Sequence, residues 1–582
     1  MLNSAIDHFE LSQGEPMVSL LSRHKLALLL AGMLAIAACS PQTPPPAPGV
    51  PESEQTTSID VATGDLGMVS SAHPLATEAG LEILRSGGNA FDAAVAIASS
   101  LNVVEPMMSG IGGYGTILIY DAKKGASRFL NPSGLIPRAL DSDVFRPPTP
   151  NYMENRRGAK SVSTPGNVNA WDAMSDYGLL PWERLFESAI DLAESGYIID
   201  ERISRYIGIS FDDFPQHARE FYGKDGKPLE AGDRLIQKDL GSSYRMIASQ
   251  GAAVFHGGEL GAMVDKAMQQ AGSFLRLADL AENKPGWWEP ISINYRGHIA
   301  VTASPPANAF PALVRLGLMA QFDLKSMQHN SVEYLHTFAE ATKHAFWTRM
   351  AYAGDPDLAP PPLDRLLSDE YFETEAAKFT ASASRFVPPG VMPTTGMNTT
   401  HFVVADQWGN VVSATQTLGN LFGSRLMPEG TGIWLNNSLA YSTFEPKGNP
   451  MDAYPGRRKL SGDVPLFVMK DGRPWIVIGT PGGHTIGQTV PQIVMNILDF
   501  DMNIQQAIDA PRVSFIEPDQ LAVEPAIPQK VVDALAARGH NISSRERIGN
   551  AHGLMVGYDS DGKPSGFTGG ADMRGAGLAK GY

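Results

Sequence analysis

One predicted hairpin, with a threonine at its open end, constrains this chain more than any other feature. Residues 400–406 are apolar and β-branched, which predicts a strand, and residues 407–410 have the Gly and Asn content of a turn. Residues 411–417 alternate in polarity and are rich in threonine, which predicts the returning strand. Thr399 then lies at the outer end of the hairpin, where a side chain is free to do chemistry.

A threonine at a true chain start carries both a hydroxyl and a free amine. The amine has a reference pKa of about 8, so it can take the proton of the hydroxyl and activate it as a nucleophile. An internal threonine lacks this amine. If Thr399 is the nucleophile, the bond between Asn398 and Thr399 must first be cut, most simply by the chain itself. A Thr-Thr pair alone is usually structural, so other motifs have to decide.

Several further motifs occur in one order along the chain, and their joint order is far more specific than any single glycine cluster. Through them the chain, over roughly residues 60 to 582, resembles the γ-glutamyltransferase family of N-terminal-nucleophile hydrolases. The motifs are Gly87 to Ala96, Val104-Glu105-Pro106 with Ser109 to Gly113, Glu340 with Arg349 and Asp355, Thr399 to Asn410, Phe422-Gly423-Ser424 with Leu435-Asn436-Asn437, Pro481-Gly482-Gly483, Ala510-Pro511-Arg512 and Gly577 to Tyr582.

The resemblance implies an α+β fold of four layers, an α/β/β/α sandwich of the N-terminal-nucleophile hydrolase type. It implies a large subunit at residues 59–398 and a small catalytic subunit at residues 399–582, cut from one precursor and held together as a heterodimer. From chain length alone, the usual size of a domain would instead suggest about four domains for 582 residues. We expect the interleaved sandwich rather than separate domains.

The resemblance also implies the catalytic residues. Thr399 is the nucleophile that forms an acyl-enzyme, and Thr417 matches a second threonine that hydrogen-bonds to it. Gly482 and Gly483 match the pair whose N–H groups form the oxyanion hole. This fits their position between a predicted strand and a predicted helix, because glycine allows close approach and a helix start offers free N–H groups. The structural alternative for Thr417 is an ordinary strand residue. The structural alternative for Gly482 and Gly483 is a plain strand-to-helix turn.

The substrate pocket matches the family only in part. Candidate substrate-binding residues by position are Asn420, Asn437, Ser461 and Gly462. The family holds the glutamyl α-carboxylate with an arginine, but the matching segment 131–137 contains none. No aspartate follows Asn437 to bind the α-amino group. An unpaired buried charge is costly, which makes glutathione doubtful as the best substrate.

Because it is the commonest activity of the family that the chain resembles, we still expect hydrolysis or transfer of the acyl group of γ-glutamyl, glutathione-like amides. The alternatives are an amidohydrolase or cephalosporin/glutaryl-type acylase of the same fold, and a non-enzymatic surface lipoprotein. Arg458, Asp463 and Glu445 are candidates for rebuilding an ionic pocket. Water as the second substrate gives hydrolysis, and another amine gives transpeptidation.

No cofactor or metal is expected. The Gly-rich stretch 109–115 lacks the Lys-Ser/Thr ending of a phosphate loop. Glu340 and His344 lie on one face of a helix predicted over residues 332–352, which is a spacing that metal sites use. No second helix with a histidine and a carboxylate partners them, so we expect a helix-surface salt bridge or a core polar contact.

The amino-terminal region predicts a secretory leader. The basic residues Arg23 and Lys25 precede an apolar run from Leu26 to Ala38, which is shorter than the ~20 residues of a spanning helix. The run ends at Cys39, the only cysteine, which excludes an intramolecular disulfide. A leader that ends on cysteine resembles a bacterial lipoprotein signal with Cys39 lipidated. Met17 is an alternative translation start, because acidic residues precede it.

Residues 1–38 are then a signal peptide, and residues 39–58, rich in Pro, Ser and Thr, form an extended tether. The expected location is the bacterial periplasm or cell envelope, with lipid anchoring to the outer membrane. The net charge of −16 argues against a nucleic-acid partner. The expected partners are a small-molecule amide and an amine or water acceptor.

Overall fold

The computed structural model covers the predicted large and small subunits, apart from short gaps. The expected signal peptide, the tether and Cys39 lie outside the described residues. So does most of segment 382–395, whose polar, proline-containing sequence predicts a loop before the candidate cleavage bond. Within the described part of the chain, no helix is long and apolar enough to cross a membrane. The described residues are 60–146, 154, 156–382, 384, 398–442, 444–517 and 519–582.

The predicted hairpin lies at the centre of an antiparallel sheet of seven strands, here called sheet I. Its two strands are Asn398–Ala405 and Val411–Gly419, so both predicted strands are confirmed with ends shifted by one or two residues. In spatial order, the strands of sheet I are Leu578–Gly581, Met68–Ser71, Asn398–Ala405, Val411–Gly419, Tyr114–Asp121, Ala126–Asn131 and Gly286–Trp288.

A second antiparallel sheet of seven strands, sheet II, packs against sheet I. The two sheets touch directly: a Cβ added to Gly479 of sheet II would lie 2.2 Å from the ring of His401 in sheet I. Ser413 also donates a hydrogen bond of 3.3 Å to the carbonyl of Ile478. In spatial order, the strands of sheet II are Ala62–Gly64, Pro564–Ala571, His552–Tyr558, Arg473–Gly479, Leu466–Lys470, His298–Thr302 and Ile291–Tyr295.

The alternation of side chains along the hairpin separates two apolar cores. Phe402 and Val404 belong to the core on the outer face of sheet I, whereas Val403 and Ala405 belong to the core that includes sheet II. This is the two-residue period of a strand. Because helices cover the outer face of each sheet, the four-layer α/β/β/α sandwich is confirmed.

The helices divide between the two outer layers in chain order. The layer on sheet I contains Pro74–Arg85, Ala90–Val104, Asn167–Ser175, Glu187–Ser195, Glu201–Gly208, Gln216–Tyr222, Lys238–Gln250, Glu259–Gln270 and Leu277–Glu282. The layer on sheet II contains Phe310–Met319, Val332–Tyr352, Leu363–Leu366, Asp369–Ala376, Ile486–Leu498, Ile504–Asp509 and Gln529–Ala537.

Local signals explain where the helix behind the hairpin begins. Asn89 accepts hydrogen bonds from the N–H groups of Phe91 and Asp92, and the Asp92 carboxylate accepts from the N–H of Asn89. This reciprocal capping satisfies donors that a helix start leaves open. The alanine-rich helix Ala90–Val104 that follows is buried along its whole length, which lets it pack closely on sheet I.

Smaller strand pairs lie outside the two main sheets. One sheet of three strands packs near the end of the chain, and two short pairs connect helices of the first layer. They are Val513–Ile516 with Gln520–Val523 and Asn541–Ser544, Tyr197–Ile198 with Arg234–Leu235, and Gly223–Lys224 with Lys227–Pro228.

Candidate active site

The hairpin holds Thr399 at a point where the strand pairing is irregular. The register shifts between Asn398 and Thr400, so Thr399 faces two residues of the returning strand, Thr417 and Leu418. Such β-bulges are over-represented beside active sites because they change the direction of a side chain. Thr399 is 5% exposed and lines a cavity of about 160 Å³.

The hydroxyl of Thr417 connects Thr399 to the bond that precedes it. Thr399 Oγ1 donates to Thr417 Oγ1 over 3.1 Å, and Thr417 Oγ1 donates to the carbonyl oxygen of Asn398 over 2.8 Å. The N–H of Gly419 donates to the same Thr417 oxygen over 2.8 Å. A hydroxyl has one donor and two acceptor positions, so these three contacts fix its orientation. A continuous path for a proton therefore runs from Thr399 to the Asn398 carbonyl oxygen.

The glycine pair lies where a strand of sheet II passes into a helix, as predicted. The strand Arg473–Gly479 precedes it, and the helix Ile486–Leu498 follows after one 3₁₀ turn. Gly482 has φ 138° and Gly483 has φ 58°, conformations that favour glycine. Gly483 lines the same cavity as Thr399. Among the described residues, neither glycine N–H has a hydrogen-bond acceptor. Gly483 can therefore bind an oxyanion in the cavity, whereas Gly482 is not among its lining residues.

The structure brings five of the predicted site residues to one cavity. Thr399, Thr417, Gly483, Ser461 and Gly462 all line it. Thr399 and Thr417 lie on the hairpin of sheet I, whereas Gly483 follows one strand of sheet II and Ser461 and Gly462 precede another, so their contact depends on the packing of sheet I on sheet II. Ser461 and Gly462 therefore have a position from which they can contact a bound acyl group.

The two predicted asparagines lie beside this cavity but are not among its lining residues. The side chain of Asn437 is fully buried, and its Nδ2 donates 2.8 Å to the carbonyl of Arg156. Its Oδ1 accepts from the N–H of Asn420 over 2.8 Å. Both ends of the Asn437 amide are thus used by backbone groups. A Cβ on Gly419 would lie 2.1 Å from this Oδ1, which explains why glycine occupies that position.

A buried lysine and a buried aspartate face the cavity close to Ser461. The ammonium of Lys459 lies 5.0 Å from the ring centre of Tyr114 and 4.9 Å from that of Tyr441, a cation–π arrangement. Burial lowers the pKa of Lys459 to about 7, although Asp463 opposes the effect. Burial raises the pKa of Asp463 to about 6, against the influence of Lys459 and of a hydrogen bond from Thr116.

Another part of the cavity wall carries an ion pair. Arg349, from the helix Val332–Tyr352, pairs with Glu517 and approaches His484. Burial raises the pKa of Glu517, and Arg349 opposes this rise. Burial, with the charge of Arg349, lowers the pKa of His484 to about 3. His484 is therefore neutral near pH 7 and leaves Glu517 as the partner of the arginine.

Of the three residues proposed to rebuild an ionic pocket, only Asp463 lines the cavity. Arg458 lies over the ring of Trp288 at 5.3 Å and donates 2.8 Å to the carbonyl of Lys284. Arg458 is therefore used by a backbone carbonyl and does not line the cavity of Thr399. Glu445 is not among the lining residues either.

Glu340 and His344 take part in separate buried polar contacts, as the sequence indicated. The Lys343 ammonium lies 3.0 Å from Glu340 Oε1 and 3.2 Å from Nδ1 of His540. His336, Glu340 and His540 have possible ligand atoms within 4.8 Å of one another. Lys343 supplies a positive charge within this group. His344 turns away from it and binds the hydroxyl of Tyr371 over 2.8 Å, next to Glu375.

Comparison with known proteins identifies the family. The family model for γ-glutamyltranspeptidase matches residues 76–582. The chain belongs to the γ-glutamyltranspeptidase family. Among relatives of this family, the acylase ACY 1 proenzyme of Pseudomonas sp. (strain SE83) is 33% identical over 538 residues, which cover 88% of this chain and 96% of the relative. The glutathione hydrolase proenzyme of Escherichia coli (strain K12) is 32% identical over 562 residues, covering 93% and 96%.

Solved structures are also similar to this chain. The cephalosporin acylase of Bacillus halodurans has a TM-score of 0.83 and 29% identity, with coverage of 92% of this chain and 99% of that chain. One chain of the Helicobacter pylori γ-glutamyltranspeptidase has a TM-score of 0.52 and 30% identity, with coverage of 54% and 92%. The chain is thus similar over most of its length to proteins named as acylases and to one named as a glutathione hydrolase.

Sequence reasoning missed several polar residues of this γ-glutamyltranspeptidase-family cavity. Lys459, Asn308 and Arg315 all line it. Lys459 lies in an irregular segment that has no periodic signal. Arg315 did have a signal in the sequence, because it is the single charged residue of the apolar helix Phe310–Met319. A charge on such a helix is seldom buried without a partner.

Proposed function

We propose that this γ-glutamyltranspeptidase-family enzyme cuts its own Asn398–Thr399 bond and then uses Thr399 as an amino-terminal nucleophile. It would hydrolyse or transfer the acyl group of γ-glutamyl amides through an acyl-enzyme. The observation that carries this proposal is the hydrogen-bonded path from Thr399 through Thr417 to the Asn398 carbonyl oxygen, at the edge of a cavity. The same path argues against a non-enzymatic surface lipoprotein.

The cleavage step follows from this path. Thr399 Oγ1 attacks the Asn398 carbonyl carbon while its proton passes to Thr417 and the proton of Thr417 passes to the carbonyl oxygen. The C–N bond then breaks, and the nitrogen of Thr399 takes a proton. Asn398 is left as an ester on Thr399 Oγ1. Water hydrolyses the ester, which leaves a carboxylate on Asn398 and both a free amine and a free hydroxyl on Thr399.

Turnover uses the groups that cleavage has exposed. The new amine of Thr399 takes the proton of its own hydroxyl, and the oxygen attacks the amide carbonyl of the substrate. The N–H of Gly483, together with that of Gly482, stabilises the negative charge on the carbonyl oxygen. The amine leaves with a proton, and an ester remains on Thr399. Water or a second amine then releases the acyl group.

An acylase for other amides is the second candidate function. It is supported by the similarity to the acylase ACY 1 proenzyme and by the full-length likeness to the cephalosporin acylase. The cavity also supports the acylase. The side-chain amide of Asn437 is hydrogen-bonded to backbone groups, and none of residues 131–137 is an arginine. The two candidates differ in whether the α-amino group of the acyl chain is recognised.

We also propose that the two pieces of the cleaved chain remain together as a heterodimer, attached to the cell envelope by a lipid on Cys39. The interleaved strands support the heterodimer, since in sheet I Met68–Ser71 of one piece pairs with residues 402–405 of the other. Lipidation is tested by metabolic labelling with a radioactive fatty acid. Loss of label in Cys39→Ala is the expected result, and label that persists contradicts the anchor.

Two Thr399 variants test the main proposal. Wild-type protein should give two bands on a denaturing gel, one of them residues 399–582, and should release p-nitroaniline from a γ-glutamyl anilide. Thr399→Ala should stay as one band without activity. Thr399→Ser should retain some of both, because hydroxyl and amine remain. Active protein that consists of one unbroken chain would refute the proposal, and a cut protein with activity only on a glutaryl anilide would favour the acylase.

A further inference from the structure

Arg315 is a buried cation that lines the cavity of Thr399 and has no acidic partner among the described residues. It lies on the helix Phe310–Met319, is 6% exposed and lines the same cavity as Thr399. Among the described residues, no carboxylate forms an ion pair with it. Burying an unpaired charge is costly, so a feature of this kind calls for an anion that is bound during function.

One edge of the guanidinium is held by backbone. Arg315 Nη1 donates 3.1 Å to the carbonyl of Pro311 and 2.9 Å to that of Gly487. In the helix Ile486–Leu498 the Gly487 carbonyl would normally accept from residue 491, but Pro491 has no N–H. Arg315 supplies the missing donor, and this contact fixes the orientation of the planar group.

The other edge of the guanidinium is unused. Arg315 Nε is buried and has no hydrogen-bond partner, and no hydrogen bond within the described part of the chain involves Nη2. Nε and Nη2 form the edge that binds a carboxylate with two parallel hydrogen bonds. Burial and the nearby charge of Arg349 lower the pKa of Arg315 to about 9, so the group remains charged near pH 7.

A second unpartnered polar group lies in the same cavity. Asn308 Oδ1 is buried without a hydrogen-bond partner, and Asn308 lines the cavity. Its backbone N–H donates 2.7 Å to the carbonyl of Ser461, which joins it to the candidate acyl-binding residues Ser461 and Gly462. Buried polar atoms without a partner are rare in native proteins, and two of them in one cavity point to a ligand.

Other buried cations of the cavity already have partners. Lys459 lies between two aromatic rings and close to Asp463. Arg349 pairs with Glu517. Arg156 also lines the cavity but is only half-buried. Among the described residues, Arg315 is therefore the fully buried cation of this cavity that is best suited to receive a negative charge from outside the protein.

We propose that Arg315, assisted by Asn308, binds a carboxylate on the acyl group of the substrate. It would replace the arginine that is missing from segment 131–137. The substrate class is then the monoamides of short dicarboxylic acids, with or without an α-amino group. This inference rests on the proposed function, because it assigns the acyl donor of the same site.

Four p-nitroanilides test the assignment. Their acyl groups carry a carboxylate and an amine, only one of the two, or neither. γ-Glutamyl carries a carboxylate and an amine, glutaryl only the carboxylate, 4-aminobutyryl only the amine, and butyryl neither. In Arg315→Met, kcat/KM should fall about 100-fold for γ-glutamyl and glutaryl anilides, because a charge-assisted pair is lost. It should change less than about threefold for the other two.

Matched variants separate recognition from folding. Arg205→Met removes an exposed arginine that lies outside the cavity and should behave as wild type. Arg315→Lys keeps the charge and should recover part of the lost kcat/KM. Each variant must give two gel bands and a wild-type melting curve. If Arg315→Met does not fold, Arg315→Gln takes its place. An equal loss on all four substrates, or no loss, would overturn the proposal.

Calorimetric titration with glutarate distinguishes failure of this inference from failure of the proposed function. Wild-type enzyme should bind glutarate, and Arg315→Met should bind it at least about 100-fold more weakly. If the wild type hydrolyses none of the four anilides but shows this difference, the proposed function fails and the anion site stands. If turnover occurs and both proteins bind glutarate equally, or neither does, the anion site is refuted.

Discussion

Removal of one hydroxyl, in the variant Thr417→Val, tests whether the path between Thr399 and the Asn398 carbonyl drives cleavage. Valine has nearly the shape of threonine and suits a strand, so the buried hairpin should keep its packing. The change deletes the donor that lies 2.8 Å from the Asn398 oxygen and the acceptor that lies 3.1 Å from Thr399 Oγ1.

The expected size of the effect follows from these two contacts. A donor aimed at an oxygen that becomes negative is worth about 2.7–4 kcal/mol, or 10²–10³ in rate. Loss of the proton path adds to this, so cleavage should slow by at least about 100-fold. The variant also leaves the N–H of Gly419 without its acceptor, which costs about 1–3 kcal/mol of stability. A protein of this size can tolerate that loss while it remains folded.

Pulse-labelled precursor made by cell-free synthesis allows the rate to be measured before cleavage is complete. The fraction present as residues 399–582 is followed on a denaturing gel for wild type, Thr417→Val and Thr417→Ser. Serine retains the hydroxyl and should cleave within about tenfold of wild type. Gel filtration and near-ultraviolet circular dichroism check that the uncut valine variant is folded. Folded Thr417→Val that cleaves within threefold of the wild-type rate would show that the path does not drive cleavage.

Two other predictions concern buried positions around the site, and both are measured in the uncut Thr399→Ala background by urea unfolding. Burial lowers the pKa of Lys459 from 10.5 to about 7, so between these values the unfolded chain holds a proton that the folded chain has released, and stability rises with pH. Lys459→Met lacks this rise: its free energy of unfolding should exceed that of the parent by about 3 kcal/mol at pH 6 and by much less at pH 9.5, whereas a constant difference contradicts the shift. Gly419→Ala places a Cβ 2.1 Å from Asn437 Oδ1 at φ 99° and should lose about 2–4 kcal/mol; a loss below about 0.5 kcal/mol would show that the turn adapts.

The parts of this fold that sequence could predict depend on local signals. The helix Val332–Tyr352 begins after Ser331, whose side chain accepts from a backbone N–H of the first turn, and its bounds were predicted without error. The hairpin was predicted from alternation and turn residues, and its strands occur with small shifts. The position of Thr399 at a strand start was predicted with the hairpin, whereas its role as nucleophile was predicted from the order of the family motifs along the chain.

The polarity of the cavity could not be predicted in the same way. Arg315 and Lys459 lie on separate elements and meet the nucleophile only because sheet II and its helices pack on sheet I. Nothing near Arg315 in the sequence indicates that Pro491 leaves the carbonyl of Gly487 without a helical donor, so that Arg315 can bind it. Asn437 shows the converse problem, because position in a motif indicated a substrate contact whereas its amide is bonded at both ends by backbone groups.

Cleavage must change the role of Thr417, because one of its three contacts disappears. In the uncut chain its proton goes to the Asn398 carbonyl and its oxygen accepts from Thr399. Once the bond is cut, the Asn398 carbonyl is no longer held in place by a covalent bond to Thr399. The Thr417 hydroxyl is then able to donate to Thr399 Oγ1, while the new amine of Thr399 becomes the proton acceptor. A donor to the nucleophile oxygen orients it without removing its proton. Thr417 is therefore part of the proton path before cleavage and a positioning residue afterwards, so the loss of its hydroxyl affects cleavage more than turnover.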